Sequence, residues 1–302
     1  MEYQVSTYKY IEFSNENPEI AVITLNRPKQ RNAQSRALLV ELGQAFERAE
    51  SDDVVRVVVL RGAGTCFSSG HDLGSAESLR ERDLESLECL PSYKNNGGTL
   101  SGAEKAWRQE WHYFFNNTMR WRDLRKITIA SVQGPVYSAG LMLMWACDLI
   151  VAEDTTVFAD VVGTRLGMCG VEYLAHPWEL GMRRAKELLL TGDSLSADEA
   201  QRIGMVSKVF PAGTLEENTM AFAARIAKLP TAASLLIKEA INQAQDSQGF
   251  RASMQSSFQL HELNHAYWLS VSGGTSLYQT PELGGVLWKD AEPVRPLNPR
   301  EP

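Results

Sequence analysis

Two short segments carry the residue types of turns built to hold an outside acceptor. One is Phe67-Ser68-Ser69-Gly70-His71-Asp72-Leu73, and the other is Gly134-Pro135-Val136-Tyr137-Ser138-Ala139-Gly140. Each follows a β-rich run, residues 54–60 before the first and 127–132 before the second. Small residues there let the backbone turn sharply and leave N–H groups free. Two such groups converging on one carbonyl oxygen would form an oxyanion hole, each donor contributing about 2.7–4 kcal/mol to a transition state that builds charge on that oxygen. Taken alone, Gly70 and Ala139 fit the plainer role of tight packing at strand ends.

Turns of this kind need a rigid frame, and the pattern supplies one. Residues 20–25 are β-branched and short, as in a strand. Over 35–50, Leu38, Leu39, Leu42, Phe46 and Ala49 recur at helical spacing. Asp52 and Asp53 end that helix, and 54–60 reads as a buried strand. The βαβ order favours a mostly parallel sheet with helices packed outside. Residues 157–160 read as another short strand, 183–190 and 196–203 as helices, and 221–228, 232–244 and 250–269 as three more, so the last third is expected to be nearly all helical. Trp107, Trp111, Phe114 and Phe115 at helical spacing predict a core-facing stripe that also shapes a pocket. Residues 74–103 are charged, then polar and Gly-rich, and read either as a lid or binding loop or as a surface insertion. After Gly273-Gly274, a Pro-rich tail is expected to be extended, whether disordered or strapping a neighbouring subunit.

Together with the turns, further segments resemble the crotonase superfamily, the enoyl-CoA hydratase/isomerase family. They are Ile23-Thr24-Leu25-Asn26-Arg27-Pro28 with Asn32-Ala33, then Cys147-Asp148-Leu149-Ile150, Gly181-Met182-Arg183-Arg184-Ala185, Leu188-Leu189-Leu190-Thr191-Gly192, and Gly204-Met205-Val206. The resemblance runs from about residue 8 to about residue 268. It implies an α/β crotonase-like (ββα)n spiral core over 1–205, with 74–103 as a loop insertion. It further implies a helical cover and trimerisation region over 206–272 and an extended tail over 273–302. It places the oxyanion donors at the N–H groups of His71 and Ala139, and acyl-coenzyme A along Arg27, Lys29, Ser69, Gly70, His71, Asp72, Leu73 and Gly74. It implies no permanently bound cofactor, coenzyme A being part of the substrate, and a homotrimer or dimer of trimers.

The acid/base pair departs from the family pattern. Hydratases of the family use two glutamates flanking the bound water. At the first position this chain has Met142, and at the second Gly163, or Val162 if the alignment slips by one. None of these side chains moves a proton, and general acid–base catalysis contributes about 10²–10⁴-fold. Ordinary hydration is therefore expected to be impaired, with double-bond migration, hydrolysis or C–C cleavage in its place, or binding without catalysis. Dienoyl-CoA isomerases and a related dehalogenase place a functional aspartate within a residue of Glu172, which makes Glu172 the first candidate for the acid/base role and Asp160 the second. The plainer readings are an ion-paired Glu172 and an Asp160 held in a strand-end turn. The His71 ring, Tyr173 and Arg165 are weaker candidates.

His261-Glu262-Leu263-Asn264-His265 matches H-E-x-x-H, whose histidines share a helix face as zinc requires. No third ligand follows in sequence, and the helix break at Gly273-Gly274 stands between the motif and Glu282. Two partly exposed helix histidines, and no metal, are expected.

Bulk properties bound the partners. A net charge of −7 over 302 residues argues against a nucleic-acid surface, so an anionic ligand needs a local basic pocket, for which Arg27, Lys29 and Arg31 fall on one turn. Residues 1–20 hold no apolar signal core, and the longest apolar stretch, 141–147, is too short to span a bilayer, so no membrane partner is expected. Four cysteines without a C-x-x-C pair read as reduced thiols of a cytoplasmic protein, and Cys169 has no base beside it in sequence.

Overall fold

The computed structural model describes residues 8–273 and 293–297. Among the described residues, nine strands run in chain order: β1 Ile11–Ser14, β2 Ile20–Leu25, β3 Val57–Gly62, β4 Ile127–Val132, β5 Pro135–Tyr137, β6 Leu149–Glu153, β7 Val157–Ala159, β8 Ser194–Ser196 and β9 Lys208–Phe210. Six of them form one sheet in the order β1-β2-β3-β4-β6-β9, and β5-β7-β8 form a smaller one. In the large sheet only β1 pairs antiparallel, and β2, β3, β4, β6 and β9 are mutually parallel.

The parallel strands are apolar on both faces, because both faces are covered. Ala21, Ile23, Leu25, Val58, Leu60, Ala130 and Val132 point into one core, and Ile20, Val22, Val57, Val59, Ile127 and Ile129 into another. The first core is closed by α1 Arg36–Ser51, whose N-terminus is capped by Ser35 accepting from the Leu38 N–H. The second is closed by a later helix carrying Leu215, Ala223 and Ala227.

Residues 74–103 are not a bare loop. They hold α2 Ala76–Arg80, α3 Pro91–Tyr93 and a π-turn at Lys94–Gly98. Glu81 accepts from the Arg36 and Ala37 N–H groups at the start of α1, and Tyr113 donates to Ser92. The segment is thus sewn onto the core helix instead of standing off it. Next come α4 Gly102–Glu110, a π-turn at Trp111–Phe115 and α5 Asn116–Arg122. The wide turn corrects the predicted aromatic stripe. It rotates the helix face, so Phe114 and Phe115 are buried while Trp107 and Trp111 are each 46% exposed.

The remaining helices are α6 Ala139–Trp145, α7 Val162–Leu166, α8 His176–Leu180, α9 Met182–Thr191, α10 Ala197–Arg202, α11 Leu215–Ala227, α12 Thr231–Ser247 and α13 Phe250–Ser272. The long α13 packs on α4 and reaches Gly167, whose carbonyl accepts from Asn264 Nδ2 and Trp268 Nε1. No residue of α12 is buried. A cavity of about 410 Å³ beside α12 is lined by Arg122, Trp145, Asp148, Glu179, Lys238 and Phe250 among others. Of the predicted tail, residues 293–297 lie along β8, with the Leu297 N–H donating to Ser194 O. The remainder of the tail past Gly273, Glu282 included, lies outside the described residues.

Candidate functional site

The two predicted turns meet. The first leaves β3 and the second leaves β4, and neighbouring parallel strands deliver their C-terminal ends to one edge. The Gln34 N–H donates to Gly70 O, and the Asp72 N–H donates to Gln34 O. Both bonds go to the neighbours of His71, so the His71 N–H itself faces the opposite side. There the second turn approaches: a side chain on Gly70 would lie 3.3 Å from Ala139 N, and Gly70 has φ +100°. A Cβ on Gly140 would run into Ser68 O, which explains glycine at both positions. Ser138, just before Ala139, has φ 50° and ψ −116°, a backbone state that costs a non-glycine residue about 1–3 kcal/mol. Ala139 is the first residue of α6, where helical N–H groups have no intrahelical acceptor. Among the described residues, neither the His71 nor the Ala139 amide has an acceptor.

Gln34 joins the turns, and sequence reasoning did not single it out. Its buried Nε2 donates to Ala139 O at 2.9 Å and to Ser68 Oγ at 3.1 Å. Asn32 does similar work one step out, donating to Ala63 O and Cys66 O.

Arg27 stands elsewhere than predicted. Its guanidinium is buried, pairs with Asp72 at 2.7 Å, and also donates to Ala33 O and Ser75 Oγ. It is consumed in fixing the first turn, because an arginine placed under that turn finds a buried carboxylate before it finds solvent. Asp72 is spent on the same clasp, and its two oxygens also accept from the Gly74 and Ser75 N–H groups and the Ser75 hydroxyl. Lys29, Arg31, Leu73 and Gly74 are exposed and Ser69 partly so, leaving that edge open.

Glu172 faces the same turn. Its Oε2 lies 3.0 Å from His71 Nε2, and the His71 ring stacks on Phe114 at 3.7 Å. Its Oε1 lies 3.8 Å from Nε2 of His261 on α13. His261 Nε2 also meets Glu110 Oε2 at 3.1 Å, and Glu110 Oε1 meets His265 Nε2 at 3.0 Å. The result is a run of alternating imidazoles and carboxylates, from His71 through Glu172, His261 and Glu110 to His265. Burial raises the Glu172 carboxyl, but the His71 and His261 rings more than offset it, and its pKa is lowered. Burial likewise opposes charge on His261, yet Cys169, Glu110 and Glu172 hold its pKa well above the ordinary histidine value. Glu262, with burial and then Glu110 against it, is pushed up to about 9 and is a neutral acid.

This corrects one sequence reading and supplies what another lacked. His261 is buried instead of partly exposed. Cys169, exposed and without a base beside it in sequence, has the His261 ring within reach.

Asp160 is 0% exposed, 3.1 Å from the equally buried His176, and accepts from the Val162 N–H at the start of α7. Met142 is buried in the core on α6. A Cβ on Gly163 would lie 2.8 Å from Leu189 O, so this backbone leaves no room for a carboxylate there. Tyr173 is buried beside Phe250 and has its hydroxyl pushed far up by burial.

The family model for enoyl-CoA hydratase/isomerase matches residues 15–96 and 87–267. The chain belongs to the enoyl-CoA hydratase/isomerase family. Mycobacterium tuberculosis EchA13, provisionally named an enoyl-CoA hydratase, is 60% identical over 98% of this chain and 93% of its own. A 4-chlorobenzoyl coenzyme A dehalogenase of an Arthrobacter species is 33% identical over 74% of this chain and 75% of its own. A crystal structure of a probable enoyl-CoA hydratase from Mycobacterium smegmatis superposes with a TM-score of 0.77 at 42% identity, over 88% of this chain and 98% of that one. The α/β crotonase fold with its helical C-terminal region, and action on an acyl-CoA thioester, follow from that membership.

Proposed function

We propose that the chain binds an acyl-CoA thioester with its carbonyl oxygen between the His71 and Ala139 amides and that Glu172 moves the proton. The observation that carries this reading is the Glu172 carboxylate 3.0 Å from the ring of His71, the residue whose main chain supplies the first amide. Charge that develops on the thioester oxygen in an enolate is stabilised by the two amides, at about 2.7–4 kcal/mol each. Stabilising the enolate makes the α-proton acidic enough for a carboxylate to remove. Glu172 is held as that carboxylate by two imidazole rings.

Hydration asks for more. It needs a water gripped by two acid/base groups, and Met142 and Gly163 occupy the places where the family resemblance puts glutamates. With a single carboxylate at hand, proton abstraction and return to another carbon, which is double-bond migration, suits the site better than addition of water. Asp160 is sealed against His176 and plays a structural part. Lys29 and Arg31 at the open edge suit the coenzyme A phosphates, while Arg27 acts only by fixing the turn. The unburied apolar side chains of α12, Leu236, Ile237 and Ile241, support assembly into a homotrimer or dimer of trimers, and the four free cysteines fit a cytoplasmic protein.

The test is Glu172→Gln. Turnover on a responsive enoyl-CoA should fall at least 100-fold while acyl-CoA binding, measured by calorimetry, stays within a few-fold of the parent. Crotonyl-CoA hydration at the rate of an efficient hydratase by the parent protein would overturn the reading of Met142 and Gly163.

A further inference from the structure

The H-E-x-x-H stretch lacked a third ligand in sequence, and the fold brings one. We propose that Glu110, His261 and His265 form a binding site for a divalent transition-metal ion of the zinc type, clasping α13 to α4. This inference does not rest on the acyl-CoA reading.

Three observations carry it. The candidate donor atoms, one from each of Glu110, His261 and His265, all lie within 4.8 Å of one another. The histidines stand four apart on one helix and turn the same atom, Nε2, toward the same carboxylate. The carboxylate comes from a different helix that packs against theirs, so the site joins two elements and is not a local pair.

Zinc at about 2.0–2.1 Å from each ligand in tetrahedral array needs donors about 3.3 Å apart. His261 meets Glu110 Oε2 at 3.1 Å and His265 meets Glu110 Oε1 at 3.0 Å, and side-chain rotation has to draw one oxygen and both nitrogens, now all within 4.8 Å of one another, to that spacing. Two imidazoles and one carboxylate leave a fourth position, which water fills in zinc sites with three protein ligands.

The donor set also selects the ion. Magnesium and calcium prefer oxygen ligands, whereas imidazole nitrogen with a thiol in reach favours zinc. Around the ligands, Glu262, next to His261 in the chain, keeps a buried Oε1 without a hydrogen-bond partner among the described residues, so a further carboxyl group stands by the site. An ion there would pin α13, the helix that lies over Gly167, beside Glu172. Metal loading and coverage of the site would then be coupled.

The experiment is calorimetric titration of Zn²⁺ into the tag-free full chain after chelator treatment, with Mg²⁺ as the control. One Zn²⁺ per chain at sub-micromolar Kd is expected, with no heat from Mg²⁺. His265→Ala should weaken binding at least 100-fold, and so should Glu110→Gln. Leu263→Ala, on the exposed face of α13, should leave it unchanged. His265 is the more exposed histidine, and circular dichroism checks that its variant is folded. Co²⁺ loading should give d–d bands of low coordination number that His265→Ala abolishes. Absence of tight Zn²⁺ binding by the parent, or equal binding by folded His265→Ala, overturns the proposal and leaves Glu110 as a hydrogen-bonding bridge alone. Because no substrate is present, this outcome is separate from the fate of the Glu172 reading.

Discussion

His71 with Glu172 and His176 with Asp160 are both imidazole–carboxylate pairs, at 3.0 and 3.1 Å. Their surroundings separate them. His71 keeps part of its ring exposed, and Glu172 is joined through His261 and Glu110 to His265 near the surface. His176 and Asp160 are 0% exposed, and among the described residues both ring nitrogens of His176 lack a well-aligned hydrogen bond. A proton delivered to the first pair has somewhere to come from and somewhere to go. A proton on the second pair is trapped with it. The pairing chemistry is the same, and access decides which pair can turn over.

Exchanging readouts between the pairs is the strongest way to break this comparison. Glu172→Gln should cost about 10²–10⁴-fold in kcat with a melting temperature close to that of the parent. Asp160→Ala should do the reverse. It leaves His176 buried without its partner and removes the acceptor of the Val162 N–H, at about 3 kcal/mol of stability in urea unfolding. An Asp160→Ala protein of parental stability that had lost its turnover would show that the catalytic carboxylate had been assigned to the wrong pair.

How much of this was legible in the sequence follows from the range of the interactions. The strands at 20–25, 54–60 and 127–132 and the helix at 35–50 follow from local periodicity, and the structure has them as Ile20–Leu25, Val57–Gly62, Ile127–Val132 and Arg36–Ser51. The meeting of the turns could be expected because each follows a buried strand of a parallel sheet. The run from Glu172 to His265 could not. Its members come from residues 110, 172, 261 and 265, and only the two histidines are within a helical turn of each other. Arg27 failed for a related reason: a basic residue beside a glycine-rich turn looks like an anion ligand until the partner 45 residues away is known. The aromatic stripe failed because a π-turn inserts a rotation that spacing alone does not show. The missed signal for Gln34 was its place between Asn32-Ala33 and the Ser35 cap, where a buried amide has many backbone groups to serve.

A smaller effect sharpens the comparison from the side of the oxyanion turns. Gln34→Leu keeps the bulk of the side chain but withdraws a donor from Ala139 O and Ser68 Oγ, so it should cost about 2 kcal/mol in stability. It should also lower kcat more than it changes acyl-CoA affinity, because the Ala139 amide loses its fixed position. Parallel losses in kcat and affinity would mean that Gln34 only holds the fold.

Glu179 extends the comparison to a carboxylate with no imidazole at all. It lines the cavity beside α12, and burial pushes its pKa up from 4.5 to about 7. Its folded form therefore binds more protons than its unfolded form between about pH 4.5 and 7, and stability must fall as pH rises through that window. Below pH 4.5 both states are protonated and the full contribution is present. Above pH 7 both are ionised and the contribution has been lost. Glu179→Gln removes the titration, so the variant should match the parent near pH 4.5 and exceed it near pH 8. With partial solvent access at the cavity mouth, the gain should be about 1 kcal/mol. Chemical unfolding at the two pH values measures it. A gain equal at both would mean that Glu179 is paired in solution as Glu172 is, and that burial alone does not set its charge.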